Sequence, residues 1–149
     1  MIKSIYTAAE HGQPLDSVQS IELIAGKGIV GDRNFDKSMW PGQNLTLIER
    51  EEIDAFNRDH NRSIHESDPR RTIITENVRL NDLVGKEFSI GSVRLLGVEL
   101  CEPCKGIGEQ LATEEMDGPA VVKAFVHKAG LRTDVLCDGR IDVGMTIET

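Results

Sequence analysis

No stretch of the chain approaches the roughly 18 consecutive apolar residues of a membrane-spanning helix. Met1 to Gly12 carries Lys3, Glu10 and His11 and lacks the apolar centre of a secretion signal, so neither a leader nor an anchor is expected. Cysteine is scarce. Three residues do not make a disulfide framework, which points to a reducing cytoplasm. Repeats, Gly/Ser linkers and low-complexity tracts are missing, so residues 1–149 are expected to form one domain, long enough to bury a core without covalent staples. Basic residues are the minority: 17 Lys and Arg face 25 Asp and Glu, for a net charge of -8. Such a surface repels nucleic acid and anionic membrane at long range, so neither is expected as a partner. A local basic pocket remains compatible with it.

What is present is a series of short strand patterns separated by turn signals. Ile2 to Ala8, Ser17 to Ala25 and Asn44 to Ile48 read as strands. Glu49 to His60 reads as a helix, with Glu49, Glu51 and Glu52 at its positive end. Thr72 to Thr75, Lys86 to Ile90 and Ser92 to Leu100 follow as strands, the last two joined through Gly91-Ser92 as a hairpin. Leu131 to Cys137 and Arg140 to Val143 flank Asp138-Gly139, which reads as a second hairpin; Met145 to Glu148 ends the series. Cys104 to Leu111 and Pro119 to Ala129 are helical candidates, the second opened by Pro119 and stopped by Gly130. The fold expected is mainly β: a closed or nearly closed β-barrel with two or three short helices. The even strand spacing argues against a βαβ parallel sheet.

The residues that carry chemistry centre on Leu100-Cys101-Glu102-Pro103-Cys104-Lys105. If Cys104 opens a short helix, unpaired N–H groups face its sulfur and favour thiolate, and Lys105 adds to the effect. Such a sulfur is nucleophilic and ligates soft metals; its bland alternative is a small buried hydrophobe. Cys101 ends a strand and suits a core position or a resolving thiol. Cys137 suits the core. Structural zinc is disfavoured, because there is no second Cys-x-x-Cys and His11, His60, His65 and His127 are scattered. Gly26-Lys27-Gly28-Ile29-Val30-Gly31-Asp32-Arg33 lacks the ending of a P-loop; it reads either as a backbone approach to a ligand or as a tight turn closed by Asp32 and Arg33. Arg70-Arg71 and Arg132 suit phosphate or carboxylate, or plain solvation. Thr75, Asn77 and Asn44 suit a polar ligand or turn caps.

These blocks, in order, resemble the MOSC domain family, named for the C-terminal region of molybdenum cofactor sulfurases. Gly28-Ile29-Val30-Gly31-Asp32-Arg33, Gln43 to Glu49, Arg70 to Thr75, Leu80 to Gly91, Leu100 to Cys104, Gly130-Leu131-Arg132 and Ile141 to Gly144 carry the likeness. The resemblance implies a β-rich barrel that binds a molybdenum–pterin cofactor (molybdopterin), or carries sulfane sulfur for delivery to a metal centre, as a sulfur transferase. It implies Cys104 as persulfide carrier or molybdenum ligand. It also implies that Arg33, Arg70, Arg71 and Arg132 are the basic residues around the anionic cofactor; Thr75, Asn77 and Lys105 complete the expected set as polar and cationic neighbours. The family's sulfurases carry a large pyridoxal-phosphate region for which this chain has no room. No pyridoxal phosphate is therefore expected, and sulfur would come from a separate cysteine desulfurase, with a molybdoenzyme as a possible acceptor. Two alternatives stand beside this: a non-enzymatic module binding an anion or a partner, and a dithiol redox protein using Cys101 and Cys104.

Overall fold

Apolar residues at every second position fix the strand faces. The computed structural model describes residues 1–149. The first strands are β1 (Ile2–Thr7), β2 (Asp16–Val18), β3 (Ser20–Ile24), β4 (Gly28–Ile29) and β5 (Leu45–Glu49). Helix α1 (Arg50–Asp59) leads to β6 (Ile73–Thr75), a 3-10 turn at Leu80–Leu83, β7 (Glu87–Ile90) and β8 (Val93–Leu100). Two short helices follow, α2 (Lys105–Leu111) and α3 (Gly118–Phe125), then β9 (Leu131–Val135), β10 (Gly139–Asp142) and β11 (Ile147–Glu148).

Eight strands form one sheet in the order β11-β7-β8-β9-β5-β6-β1-β2; β10, β3 and β4 form a second. The large sheet curls through 251° and stays open, so it is a partial barrel and not the closed one expected. Its outermost strands, β2 and β11, span three and two residues, too few to zip its edges together. One corner is stitched by backbone bonds between Ile2 and the turn before β11: Ile2 N–H to Met145 O and Gly144 N–H to Ile2 O, both 2.8 Å. Both sheets contribute to one core, in which Ile21, Leu23, Ile29 and Ile141 meet Ile2, Leu47, Leu95 and Leu131.

Three expectations are corrected by pairing. Asp138-Gly139 is not a hairpin turn: β9 pairs with β5 and β8, whereas β10 crosses to β3. Asp138 instead accepts the Ala25 N–H at 2.8 Å, fastening the crossing point to the end of β3. The β5–α1–β6 segment is a parallel crossover, with Leu47 opposite Ile73, despite the even strand spacing. The stretch Ser17–Ala25 breaks at Gln19 into strands of different sheets. Helix α3 also ends earlier than expected, at Phe125; His127, at φ 61°, takes the left-handed position ahead of Gly130. No helix is long and apolar enough to cross a membrane.

The outer face of the sheet carries the helices. Ile48 and Ile74 pack with Ile53 of α1 and with Tyr6. Phe56 of α1 stacks on Phe125 of α3 at 4.6 Å between ring centres. Ile107 and Leu111 of α2 join Val121, Phe125 and Ala129 in the same apolar cluster. A seven-residue helix is not stable in isolation. Burial of Ile107 and Leu111 contributes about 1.5–3 kcal/mol each, and that holds α2 in place. Asp117 caps α3 by accepting the Ala120 N–H at 2.9 Å.

Candidate functional site

The segment after β8 delivers Cys104 to the start of α2. The Cys101 N–H donates to Gly130 O at 2.7 Å, extending the β8–β9 pairing past Leu100. Cys101 itself is buried, and Cys104 is exposed; all three cysteines are free thiols. Cys104 adopts extended backbone as the residue preceding α2, at φ -117° and ψ 176°. Its sulfur lies over Gly106: a Cβ built there would sit 3.5 Å from Sγ. The N–H of Ile107 is the chief influence holding the Cys104 thiol below the usual range. Partial burial works the other way, and the Gly106 N–H and the Arg71 guanidinium add to the lowering.

Arg71 is the cation whose charge favours the Cys104 thiolate. Its Nε donates to Ala129 O at 2.8 Å and one terminal nitrogen to Pro69 O at 3.1 Å. Those bonds fix the guanidinium across the Ala129-Gly130 turn and leave the other terminal nitrogen without a protein acceptor. Lys105, the neighbour in sequence, extends into solvent with Nζ 3.7 Å from Glu109. Arg70, adjacent to Arg71, takes the opposite course. Its backbone is left-handed at φ 60°, and its guanidinium donates to Gln13 O at 2.9 Å.

Arg132 lies two residues beyond Gly130 on β9. It is opposite Thr46 of β5 and beside Glu99 of β8, with Nε 3.8 Å from that carboxylate. Thr46 in turn accepts the Thr72 N–H at 3.3 Å. Leu45, Leu47, Leu131 and Ile73 point to the core, so Arg132, Thr46 and Thr72 share the outer face. Together they make a polar strip beside the Arg71 and Cys104 end of the sheet. Thr46 and Thr72 drew no attention as site residues in the sequence. The available signal was a polar residue interrupting each of two apolar strand patterns.

The remaining residues of the expected set lie elsewhere. Arg33 is buried against Asp32 at 3.1 Å. Thr75 is fully buried, and its hydroxyl faces Ile48 O at 3.4 Å. Asn77 is exposed beyond β6, left-handed at φ 60°, with its N–H donated to Glu51 at 2.8 Å. Asn44 is a buried staple: its side chain bonds Gly26 O, Ser38 Oγ and the Val135 N–H. Cys137 accepts the Arg94 N–H at 3.2 Å in the loop after β9. No group of three or more His, Cys, Asp or Glu side chains converges as a metal cage. Any metal held at Cys104 would therefore depend on ligands brought with it.

The whole chain superimposes on solved structures of low sequence identity, which bears on fold alone. The YuaD protein from Bacillus subtilis aligns with a TM-score of 0.84 at 17% identity, over 99% of this chain and 93% of that one. YiiM from Geobacillus stearothermophilus aligns at 0.74 and 14% identity, over 99% of this chain and 73% of that one. YiiM from Escherichia coli aligns at 0.69 and 14%, over 99% and 69%. No curated protein matches the chain. The model of the MOSC domain matches residues 31–148, a span from the Gly31-Asp32-Arg33 turn to β11 that contains Arg71, Cys104 and Arg132. The chain belongs to the MOSC domain family.

Proposed function

We propose that this MOSC domain carries sulfane sulfur on Cys104 and presents it to, or ligates through it, a molybdenum–pterin cofactor. The observation that carries the reading is the exposed Cys104 sulfur, shifted towards thiolate by the Ile107 N–H and by Arg71. In the sulfur step, the Cys104 thiolate attacks the outer sulfur of a donor persulfide. The donor's S–S bond breaks, the donor leaves as thiolate, and a Cys104 persulfide forms. A separate cysteine desulfurase is the donor class this requires. Arg71, whose charge favours the thiolate, would hold the anionic sulfur before and after transfer.

The residues present fit the cofactor in part. A thiolate is a soft donor suited to molybdenum, which when bound supplies a centre that accepts sulfur. Arg71, Arg132 and Thr46 offer donors for an anionic pterin, each charge-assisted bond contributing about 1.5–3 kcal/mol. Glu99 offsets part of the Arg132 charge. Arg33 and Thr75 are buried and engaged, and Asn77 lies beside Glu51, so the reading rests on the smaller set.

The test is intact mass spectrometry after incubation with a cysteine desulfurase and cysteine, beside molybdenum and pterin assays of protein loaded with cofactor. One added sulfur atom on the wild type, lost in Cys104→Ser, is expected. No added sulfur and no retained molybdenum or pterin would end the proposal. Anion binding that survives unchanged in Cys104→Ser would favour a sulfur-independent binding module built on Arg71 and Arg132.

A further inference from the structure

Glu102, between the two cysteines, is held by a residue far along the chain. One carboxylate oxygen accepts the His127 N–H at 2.7 Å, and the other lies 2.9 Å from His127 Nδ1. His127, left-handed at φ 61°, presents both its backbone and its side chain to the same carboxylate. That conformation is uncommon outside glycine, although histidine enters it more readily than most residues. The other side of the residue is held too: Asn81, from the 3-10 turn, donates to His127 O at 3.0 Å.

Stability does not account for this arrangement. Both partners are largely exposed, the side chains at 46% and 69%, and ion pairs in such settings contribute little. Its place in the chain is more telling. Cys101 is fixed by its bond to Gly130 and by burial. Pro103 restricts the backbone next to Cys104. Glu102 is the one remaining point at which the approach to Cys104 can be anchored, and it is anchored twice.

We propose that Glu102 and His127 are positioning residues, a clamp that sets the Cys104 sulfur against the Gly106 and Ile107 amides and Arg71. The proposal rests on Cys104 being the reacting group, as argued above. With Glu102 untethered, the 102–104 segment is free to turn the sulfur away from those groups, and Cys104 loses reactivity without loss of fold.

The experiment is site-resolved alkylation by iodoacetamide at one fixed pH, with Cys104 and Cys137 followed in the same molecules by peptide mass spectrometry. Glu102→Ala is expected to slow Cys104 by about fivefold, what one ordinary hydrogen bond amounts to, and to leave Cys137 unchanged. Glu102→Gln keeps an acceptor for the His127 N–H and should recover most of the rate. His127→Gly keeps the N–H and the backbone conformation but removes the ring, and should fall between. A Cys104 rate unchanged or raised in Glu102→Ala would overturn the clamp, as would equal changes at Cys104 and Cys137. If Glu102→Ala does not fold, the ranking of Glu102→Gln and His127→Gly against wild type decides. Alkylation needs neither donor nor cofactor. Expected rates with no sulfur uptake would fail the functional reading alone; sulfur uptake with flat rates would fail the clamp alone.

Discussion

Replacing Arg33 by methionine removes the positive half of a buried ion pair. The side chains of Arg33 and Asp32 are 7% and 3% exposed, with Nη1 3.1 Å from Oδ1. The same carboxylate accepts the Ala8 N–H at 3.2 Å and the Asn34 N–H at 3.3 Å, and the Arg33 N–H donates to Ala8 O at 2.7 Å. The turn that follows β4 is thereby tied to the end of β1. Methionine keeps the apolar stem and strands the carboxylate in a dry place with two amide donors. Breaking a buried pair from one side costs about 3–5 kcal/mol, and the two donors keep the loss near the lower figure. At about 2–4 °C per kcal/mol for a chain of this length, Arg33→Met should lower Tm by about 6–12 °C in calorimetry. The double variant Asp32→Asn, Arg33→Met should regain most of that, because no unpaired charge remains. A Tm within about 2 °C of wild type, with binding of molybdenum–pterin cofactor abolished, would refute the structural account and make Arg33 a ligand-contacting cation.

Gly130→Ala puts a Cβ 2.2 Å from Leu47 O at φ 111°, a clash with backbone that no rotamer relieves. It should cost about 3 kcal/mol or more in urea unfolding and loosen the Cys101–Gly130 bond with it. Gly106→Ala meets only Cys104 Sγ, at an ordinary 3.5 Å. It should raise stability by about 0.5–1 kcal/mol while Cys104 still reacts with iodoacetamide. Burial works to raise the Glu66 carboxyl, and donation from Lys3, Ser4 and Tyr6 outweighs it and holds the group below the usual range. A depressed carboxylate stabilises the fold above its unfolded pKa, and that support fades as pH falls through the folded value. Glu66→Gln should therefore flatten the acid side of the stability curve and cost about 1–3 kcal/mol at neutral pH, read from urea midpoints across pH.

Most elements were legible in the sequence because their signals are local. Leu45-Thr46-Leu47-Ile48 announces a strand as a short apolar run, and α1 announces itself through the acids in its first turn beside Ile53 and Phe56. Gly91, at φ 59°, supplies the conformation that the β7–β8 hairpin needs. Pairing partners were less legible, because alternation says which face of a strand is buried and not which neighbour it meets. Leu131 to Val135 alternates equally well beside β10 or beside β5 and β8. The large sheet wins because the apolar side chains of β9, Leu131 and Val135, then join the core between both sheets. The Asp138-Gly139 signal gives way, and Asp138 finds a different use at Ala25. The same limit hid the parallel β5–β6 pair, whose 23-residue connection reads locally as a helix followed by a loop.

The site divides along the same line. Cys104 was visible because what lowers its pKa begins with its own neighbours in the chain, the amides of Gly106 and Ile107. Its cation was not visible as one residue, since Arg70, Arg71 and Lys105 are equivalent as letters. Folding separates them by where their backbones point. Arg70 is turned by its left-handed φ towards Gln13, and Lys105 starts a helix and projects outward. Arg71 is drawn across by the free carbonyls of Pro69 and Ala129. The Ala129 carbonyl lies where the chain leaves α3 and enters β9 through Gly130, whose missing Cβ admits Leu47 O. The cation acting on the sulfur is thus held in part by the turn at Ala129-Gly130, just before β9, which no spacing rule within Cys-Glu-Pro-Cys-Lys contains.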